Sequence, residues 1–279
     1  MEPVQKALWY VESHLRDANS LDEIARACHV STYHLTRAFA ATIGLSLMRY
    51  VRARRLSEAA RKLADRDQAD DILSLALDAG YGSHEAFTRA FRDQFGLTPE
   101  QLRAQGNLAR IPILEAVPMN STPLVDLPTP RFEVRKPFTA AGLTGRYNCD
   151  SAAGIPDQWQ RLGPHLGHIP GQVGRTCYGV VTGFDREGNF DYLCGAEVTG
   201  TLRLPEGFST ISVPENKYVV FAHKGHIAGI RQLCAAIWSQ WFPKSGHDPI
   251  EAPTLEVYGP EFNGKTGLGG FEVWVAILG

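Results

Sequence analysis

Apolar residues recur at three- and four-residue steps through the first hundred positions, as at Leu8, Val11 and Leu15, the spacing of helices that bury one stripe. Ala, Leu, Arg and Glu dominate there, and after Pro3 the next proline is Pro99. From Gly106 to Pro130 the texture changes: Pro112, Pro118, Pro123, Pro128 and Pro130 put five prolines into 25 residues, a spacing that keeps ending helices. Beyond it, FEVRKPFTAAGL, YGVVTGF, KYVVFAH and FEVWVAIL read as strands, rich in β-branched and aromatic residues and bounded by Gly or Pro. IPDQWQRLGPHL and IAGIRQLCAAIWSQWF read as helices. The pattern predicts an all-α domain over 1–108, a proline-rich linker over 109–130 and an α+β domain over 131–279.

The helical part repeats itself. Thr36-Arg37-Ala38-Phe39 returns 52 residues later as Thr88-Arg89-Ala90-Phe91, and five residues past each Phe comes Gly-Leu and a hydroxyl. Upstream of each copy lies a short helical stretch with a small residue, Ala25 or Ala76. A turn follows, then a serine placed to cap the next helix, Ser31 or Ser83. Short helix, turn and capped second helix is the helix-turn-helix layout, present twice. Leu35 with Phe39, and Phe87 with Phe91, form the expected buried stripes. Thr32, Tyr33, Thr36 and Arg37 are expected to face outward in one copy, and His84, Glu85, Thr88 and Arg89 in the other.

The stretch GYGSHEAFTRAFRDQFGLTPEQLR resembles the AraC/XylS signature of bacterial transcription regulators. Ala76, Gly80, Tyr81, Ser83, Phe87, Arg89, Phe91, Gly96, Thr98, Pro99 and Arg103 carry the match, which covers roughly residues 5–105. The first copy is looser, with His29 where a turn glycine is usual. The resemblance implies two recognition helices entering successive major grooves of double-stranded DNA, joined by a long helix from about Leu47 to Leu63. RNA polymerase is a further expected partner. Arg37 and Arg89 can offer bidentate donors to guanine, and Ser31, Ser83 and His84 can reach base edges or phosphates. Glu85 has two readings: acceptor for a cytosine amino group, or a charge that excludes wrong sequences.

Charge alone would not suggest DNA. The net charge is −2, with 15 Lys+Arg against 14 Asp+Glu in residues 1–110 and 13 against 16 in the rest. Any nucleic-acid contact therefore depends on local placement of cations. Arg49, Arg52, Arg54, Arg55, Arg61 and Lys62 concentrate positive charge on the connecting helix, and Arg54 is expected at a phosphate.

The second half also repeats. Gly195-Ala196-Glu197-Val198 matches Gly270-Phe271-Glu272-Val273, and Tyr178-Gly179 matches Tyr258-Gly259. Each half holds a helix with a Trp, Trp159 or Trp238, followed eight residues on by a glycine. Two β-α-β-β units are expected. Strand alternation puts Glu272 and Trp274 on the face opposite Phe271, Val273 and Val275, and Glu197 opposite Cys194, Ala196 and Val198. The expectation is that the two carboxylates share an aromatic cleft, and that Glu272, with no Lys or Arg in its own strand and Lys265 expected to meet water across the glycine turn, awaits a positively charged ligand. Tyr178, Tyr258, Trp159 and Trp238 complete the candidate ligand residues. The segments IPDQWQRL, GNFDYLCGAEV, PENKYVVFAHKG, AAIWSQWFP and GFEVWVAIL resemble the GyrI-like effector-binding domain. That resemblance implies a groove for organic, often cationic compounds, with the last strand's glutamate, Glu272, as its acid.

Hydrophobic residues make up 44% and charged residues 21%, globular proportions, and no apolar run reaches the roughly 18 residues of a membrane span. Five widely spaced cysteines without a C-x-x-C pair argue against a disulfide framework or zinc site and fit a reducing bacterial cytoplasm. The N-terminus lacks the basic and apolar regions of a signal peptide. No cofactor or metal is expected. Gly259-x4-Gly264-Lys265-Thr266 satisfies a phosphate-loop pattern, but a glycine turn and a strand are expected to follow it rather than a helix. The reading that unites these features is a DNA-binding regulator with a sensor for a small organic compound, and not an enzyme. The alternatives are a ring-opening hydrolase using Glu197, Glu272 and Trp238, and a module that sequesters a toxin.

Overall fold

A computed structural model describes residues 2–17, 20–65, 71–118, 126–200 and 203–279. Much of the expected linker, 119–125, lies outside the described residues. Seven helices come first: α1 (Pro3–Ser13), α2 (Leu21–Cys28), α3 (Thr32–Ile43), α4 (Leu47–Ala64), α5 (Ile72–Asp78), α6 (His84–Phe95) and α7 (Pro99–Gln105). The α+β portion follows as β1 (Arg131–Arg135), β2 (Phe138–Asn148), α8 (Ile155–Leu162), β3 (Gln172–Thr182), β4 (Asn189–Val198), β5 (Phe208–Val213) and β6 (Asn216–His223). Then α9 (Ile230–Ala236) runs through a π-helical stretch, Ile237–Trp241, into α10 (Phe242–Ser245), before β7 (Thr254–Tyr258) and β8 (Phe271–Ile277).

The chain clusters into two compact units. One holds Pro3–Thr32 and Leu47–Thr122; the other holds Tyr33–Ser46 and Pro123–Gly279. Helix α3 thus groups with the strands and not with the other helices.

In the helical unit, local chemistry sets the boundaries of α2, α5, α6 and α7. Ser20 Oγ accepts from the amide of Glu23 to start α2, and Ser83 Oγ accepts from Ala86 to start α6. Thr98 and Gln101 form a reciprocal capping box at α7, with Pro99 in the first turn. The turn after α2 closes through His29 at φ 59°, a left-handed conformation that a non-glycine residue adopts at a cost of about 1–2 kcal/mol. After α5 the corresponding job falls to Gly80 at φ 83°, where a Cβ would also meet the Arg55 guanidinium at 2.6 Å. The core joins Leu56, Ala60 and Leu63 of α4 with Leu75 and Ala76 of α5 and a row of rings, Phe87, Phe91 and Phe95, on α6. Their centroids lie 5.5 and 4.7 Å apart.

The strand unit is one antiparallel eight-stranded sheet in the order β1-β6-β8-β7-β3-β4-β2-β5. On one face Ala141, Tyr192, Cys194, Ala196 and Val198 pack with Leu162 of α8. On the other, Phe138, Tyr178, Val180, Tyr218, Leu255 and Trp274 form a second apolar layer. Gln158 of α8 is fully buried, donating to the carbonyls of Leu143 and Tyr192, which ties the helix to β2 and β4. The Gly259–Thr266 stretch folds back on Asn263, whose Oδ1 accepts from the amides of Lys265 and Thr266, and then runs through a turn into β8. A phosphate loop needs a helix there, and the chain supplies a strand.

Candidate functional site

Strand β7 alternates Thr254, Glu256 and Tyr258 onto one face. Glu256 Oε2 accepts from the Tyr192 hydroxyl at 2.6 Å and from the Tyr258 hydroxyl at 2.8 Å. Trp159 Nε1 donates to Tyr192 Oη at 2.9 Å, and its ring meets Tyr258 edge-on at 5.0 Å. Phe262 stands 4.7 Å from the Tyr258 ring. The partner of Glu256 across the ladder is Gly179 of β3, and the absence of a side chain is what admits this arrangement. A Cβ at Gly179 would come within 2.3 Å of the Tyr192 hydroxyl and 2.6 Å of the Glu256 carboxylate.

Glu256 keeps part of its surface open, whereas Tyr192 and Tyr258 are buried. Crowding by the surrounding protein raises the Glu256 pKa; the two tyrosine hydroxyls and the charge of Arg37 pull the other way without cancelling it. Burial also drives both tyrosines well above their usual range, with the charge on Glu256 adding to it. The result is a partly accessible acid with aromatic walls and, among the described residues, no cation bonded to it, chemistry suited to a positively charged or hydrogen-bonding organic group.

The other predicted carboxylates lie elsewhere. Glu272 takes both Nη1 and Nη2 of Arg131 at 2.8 Å, and Trp274 Nε1 donates to it at 2.8 Å. Desolvation pushes its pKa up, but the hydrogen bonds from Arg131 and Trp274 and the Arg131 charge outweigh it, and the net shift is downward. The expectation that Glu272 lacks a cation is thereby corrected. Arg131 comes from β1, far back in the chain, where sequence proximity could not reveal it. Glu197 is bound at 2.6 Å by Arg135, which also donates to Tyr178 at 3.4 Å and lies over Phe138. The two carboxylates therefore belong to separate arginine clusters. Of the predicted ligand residues, Trp159 and Tyr258 meet around Glu256, which sequence reasoning missed. Five-residue β7 was too short to stand out as an apolar run, although Tyr258, already singled out, has Glu256 two residues before it on the same face.

Trp238 sits in the π-helical stretch and receives α3. Its carbonyl is 3.2 Å from His34 Nε2, and its ring lies 5.9 Å from Tyr33. Arg37 donates to Thr254 Oγ1 at 3.2 Å, with its guanidinium carbon 4.7 Å from the Phe184 centroid and 5.1 Å from that of Trp238. Beside it opens a cleft of about 210 Å³ lined by Tyr33, Arg37, Phe184, Glu251 and Thr254.

The predicted DNA-facing residues divide in the same way. Ser31, Glu85 and Arg89 are exposed, and Thr32 is partly so. His84 reaches Glu100 at 2.9 Å, and Ser83 is engaged as the α6 cap. Thr36 is only 7% exposed and the Thr88 hydroxyl is buried, because each buried stripe includes the residue after Leu35 or Phe87 and is wider than the i, i+4 pair implied. Arg54 is a clear correction. At 5% exposure it binds Glu12, Glu58 and the Leu114 carbonyl, so it serves the interior of the helical unit and not a phosphate.

Residues 128–278 match the GyrI-like small molecule binding domain, and residues 24–105 match a helix-turn-helix domain. Transcriptional regulator Rob of Salmonella typhimurium is 27% identical over 277 residues, covering 95% of this chain and 92% of that protein. The probable transcription factor PqrA of Proteus vulgaris is 37% identical over 107 residues, 38% of this chain and 86% of its own. MarA of Salmonella typhimurium, a multiple antibiotic resistance protein, is 32% identical over 100 residues, 36% of this chain and 77% of its own. Among solved structures, SAV2435 bound to tetraphenylphosphonium aligns at a TM-score of 0.46 and 17% identity, covering 54% of this chain and 94% of its own. No helix among the described residues is long and apolar enough to cross a membrane.

Proposed function

The chain belongs to the GyrI-like family, joined to an AraC-type helix-turn-helix region, and on that premise we propose that it is a sequence-specific transcription regulator whose strand unit senses an aromatic organic cation. The relatives named as transcription regulators support the first half of that reading. The observation that carries the second is Glu256, a partly open carboxylate walled by Tyr192, Tyr258 and Trp159 with no bonded cation among the described residues. Residues 1–108 act as the DNA-reading domain and 131–279 as the sensor. The order β2-α8-β3-β4 followed by β6-α9-α10-β7-β8 favours two repeats. The sensor needs no turnover. Ring-opening hydrolysis by the same carboxylate is the rival, and recovery of the ligand unchanged decides against it.

The test is calorimetric titration of the full chain with an aromatic cation such as tetraphenylphosphonium. Glu256→Gln loses at least tenfold in affinity, while Glu272→Gln, whose acid already has Arg131, changes it by less than twofold. Because the Glu256 pKa is raised, wild-type affinity tightens as pH climbs from the usual carboxylate range through that pKa, by up to about tenfold per unit. Glu256→Gln flattens this dependence. Equal affinity in wild type and Glu256→Gln at every pH refutes the site.

A further inference from the structure

Arg37 is the residue that both readings claim: the helix-turn-helix pattern sends it to DNA, and the structure seats it in the sensor. Its guanidinium lies against two ring faces, Phe184 and Trp238, and donates to Thr254. Thr254 and Glu256 are alternate residues of β7, so they share a face at about 6.6 Å of strand. The charge of Arg37 acts on two groups in this region, the Glu256 carboxyl and the Cys234 thiol. No hydrogen bond joins Arg37 to Glu256 in the described residues; the guanidinium supplies the carboxylate with a positive charge at a distance.

We propose that Arg37 is an internal cation of the Glu256 site: an organic cation arriving at Glu256 displaces it, and so frees α3 from the sensor. This rests on Glu256 being the ligand acid. Two cations near one carboxylate repel each other, and the incoming one removes the negative charge that favours Arg37 docking. The consequence is regulatory. A guanidinium held by Thr254 and two rings cannot at the same moment be bidentate to a guanine, so sensor occupancy and base reading by α3 are linked through one side chain.

The experiment uses the full chain, tetraphenylphosphonium as probe, and four proteins: wild type, Arg37→Met, Arg37→Lys and Glu256→Gln. If the docked state holds about nine-tenths of the population, removing it raises apparent affinity about tenfold. Arg37→Met is therefore expected to bind the probe about tenfold tighter than wild type, and Arg37→Lys, which keeps the charge, within about threefold. Hydrogen exchange of the amides of residues 33–43 speeds up in wild type on saturation and is already fast in Arg37→Met without probe. Wild-type binding with Glu256→Gln defective, but Arg37→Met no tighter, overturns the internal-cation proposal and leaves the ligand site standing. Exchange in 33–43 that is the same in Arg37→Met and wild type overturns it too, as does Arg37→Lys behaving like Arg37→Met. Glu256→Gln binding as well as wild type removes the ligand site itself, and the proposal falls with it.

Discussion

Helices α3 and α6 carry the same Thr-Arg-Ala-Phe sequence, and each follows a short helix and a tight turn, yet they keep different company. Phe91 of α6 packs between Phe87, tilted to it, and Phe95, edge-on to it, in a core built with α4, α5 and α7, and Arg89 is exposed to solvent. On α3, Phe39 is equally buried, but the helix clusters with the strands, and Arg37 is enclosed by Thr254, Phe184 and Trp238. The turns differ too: Gly80 takes a left-handed conformation easily, whereas His29 is forced into one. Local sequence fixes the helix and its buried stripe in both copies. What the opposite face does depends on the surface it meets, and in α3 that surface belongs to the strand unit.

The largest effect expected from this contrast is on stability. Phe91→Ala removes the middle ring of the α6 row and leaves a cavity, costing about 3–5 kcal/mol. Hydrogen exchange should show protection lost in α4 to α7 while the sheet amides of β2, β3 and β4 stay protected. Loss spread evenly over helices and sheet would mean that the two units unfold as one, and that the division between α6 and α3 has no energetic content.

A smaller effect is expected on DNA. With a duplex selected from random sequence by the protein itself, Arg89→Ala should cost about 1–3 kcal/mol and relax preference at one base position. Arg37→Ala loses a comparable base contact but also releases a docked helix. If docking holds nine-tenths of the population, the release returns about 1.4 kcal/mol, and Arg37→Ala should cost that much less than Arg89→Ala. Equal costs, measured by titration at one fixed salt concentration, would show that docking at Thr254 does not tax DNA binding.

The same contrast explains how far the sequence could be read. Helices, caps and paired stripes follow from short-range pattern, so Leu35, Phe39, Phe87 and Phe91 were legible, and the connecting helix ends within a residue of where the resemblance to AraC/XylS regulators put it. Alternation correctly set Glu272 and Trp274 apart from Phe271 and Val273. Long-range pairing was invisible. Nothing near Glu272 announces Arg131, nothing near Arg54 announces Glu12, and nothing on α3 announces Thr254, since these partners are 141, 42 and 217 residues away. Glu256 was hidden differently. Its aromatic neighbours, Trp159 and Tyr258, were recognisable, but the acid stands in a strand of only five residues whose depth is set by glycine at Gly179.

The smallest expected effect separates structure from recognition at the start of α6. Ser83 is a candidate DNA contact by position, and its Oγ accepts from the Ala86 amide at 3.2 Å. A side-chain cap of this kind satisfies a donor that the first helical turn leaves unpaired, and its loss costs about 1 kcal/mol. Ser83→Ala should therefore lower the urea midpoint of the helical unit by that amount, and Ser83→Asp should restore most of it, because a carboxylate caps as well and favours the positive end of the helix dipole. The same carboxylate would repel a phosphate. If Ser83 serves only as a cap, Ser83→Ala leaves the slope of DNA affinity against salt unchanged, and Ser83→Asp weakens binding by less than a few-fold. If the hydroxyl also donates to a phosphate, Ser83→Asp binds DNA far more weakly than Ser83→Ala although it is the more stable protein.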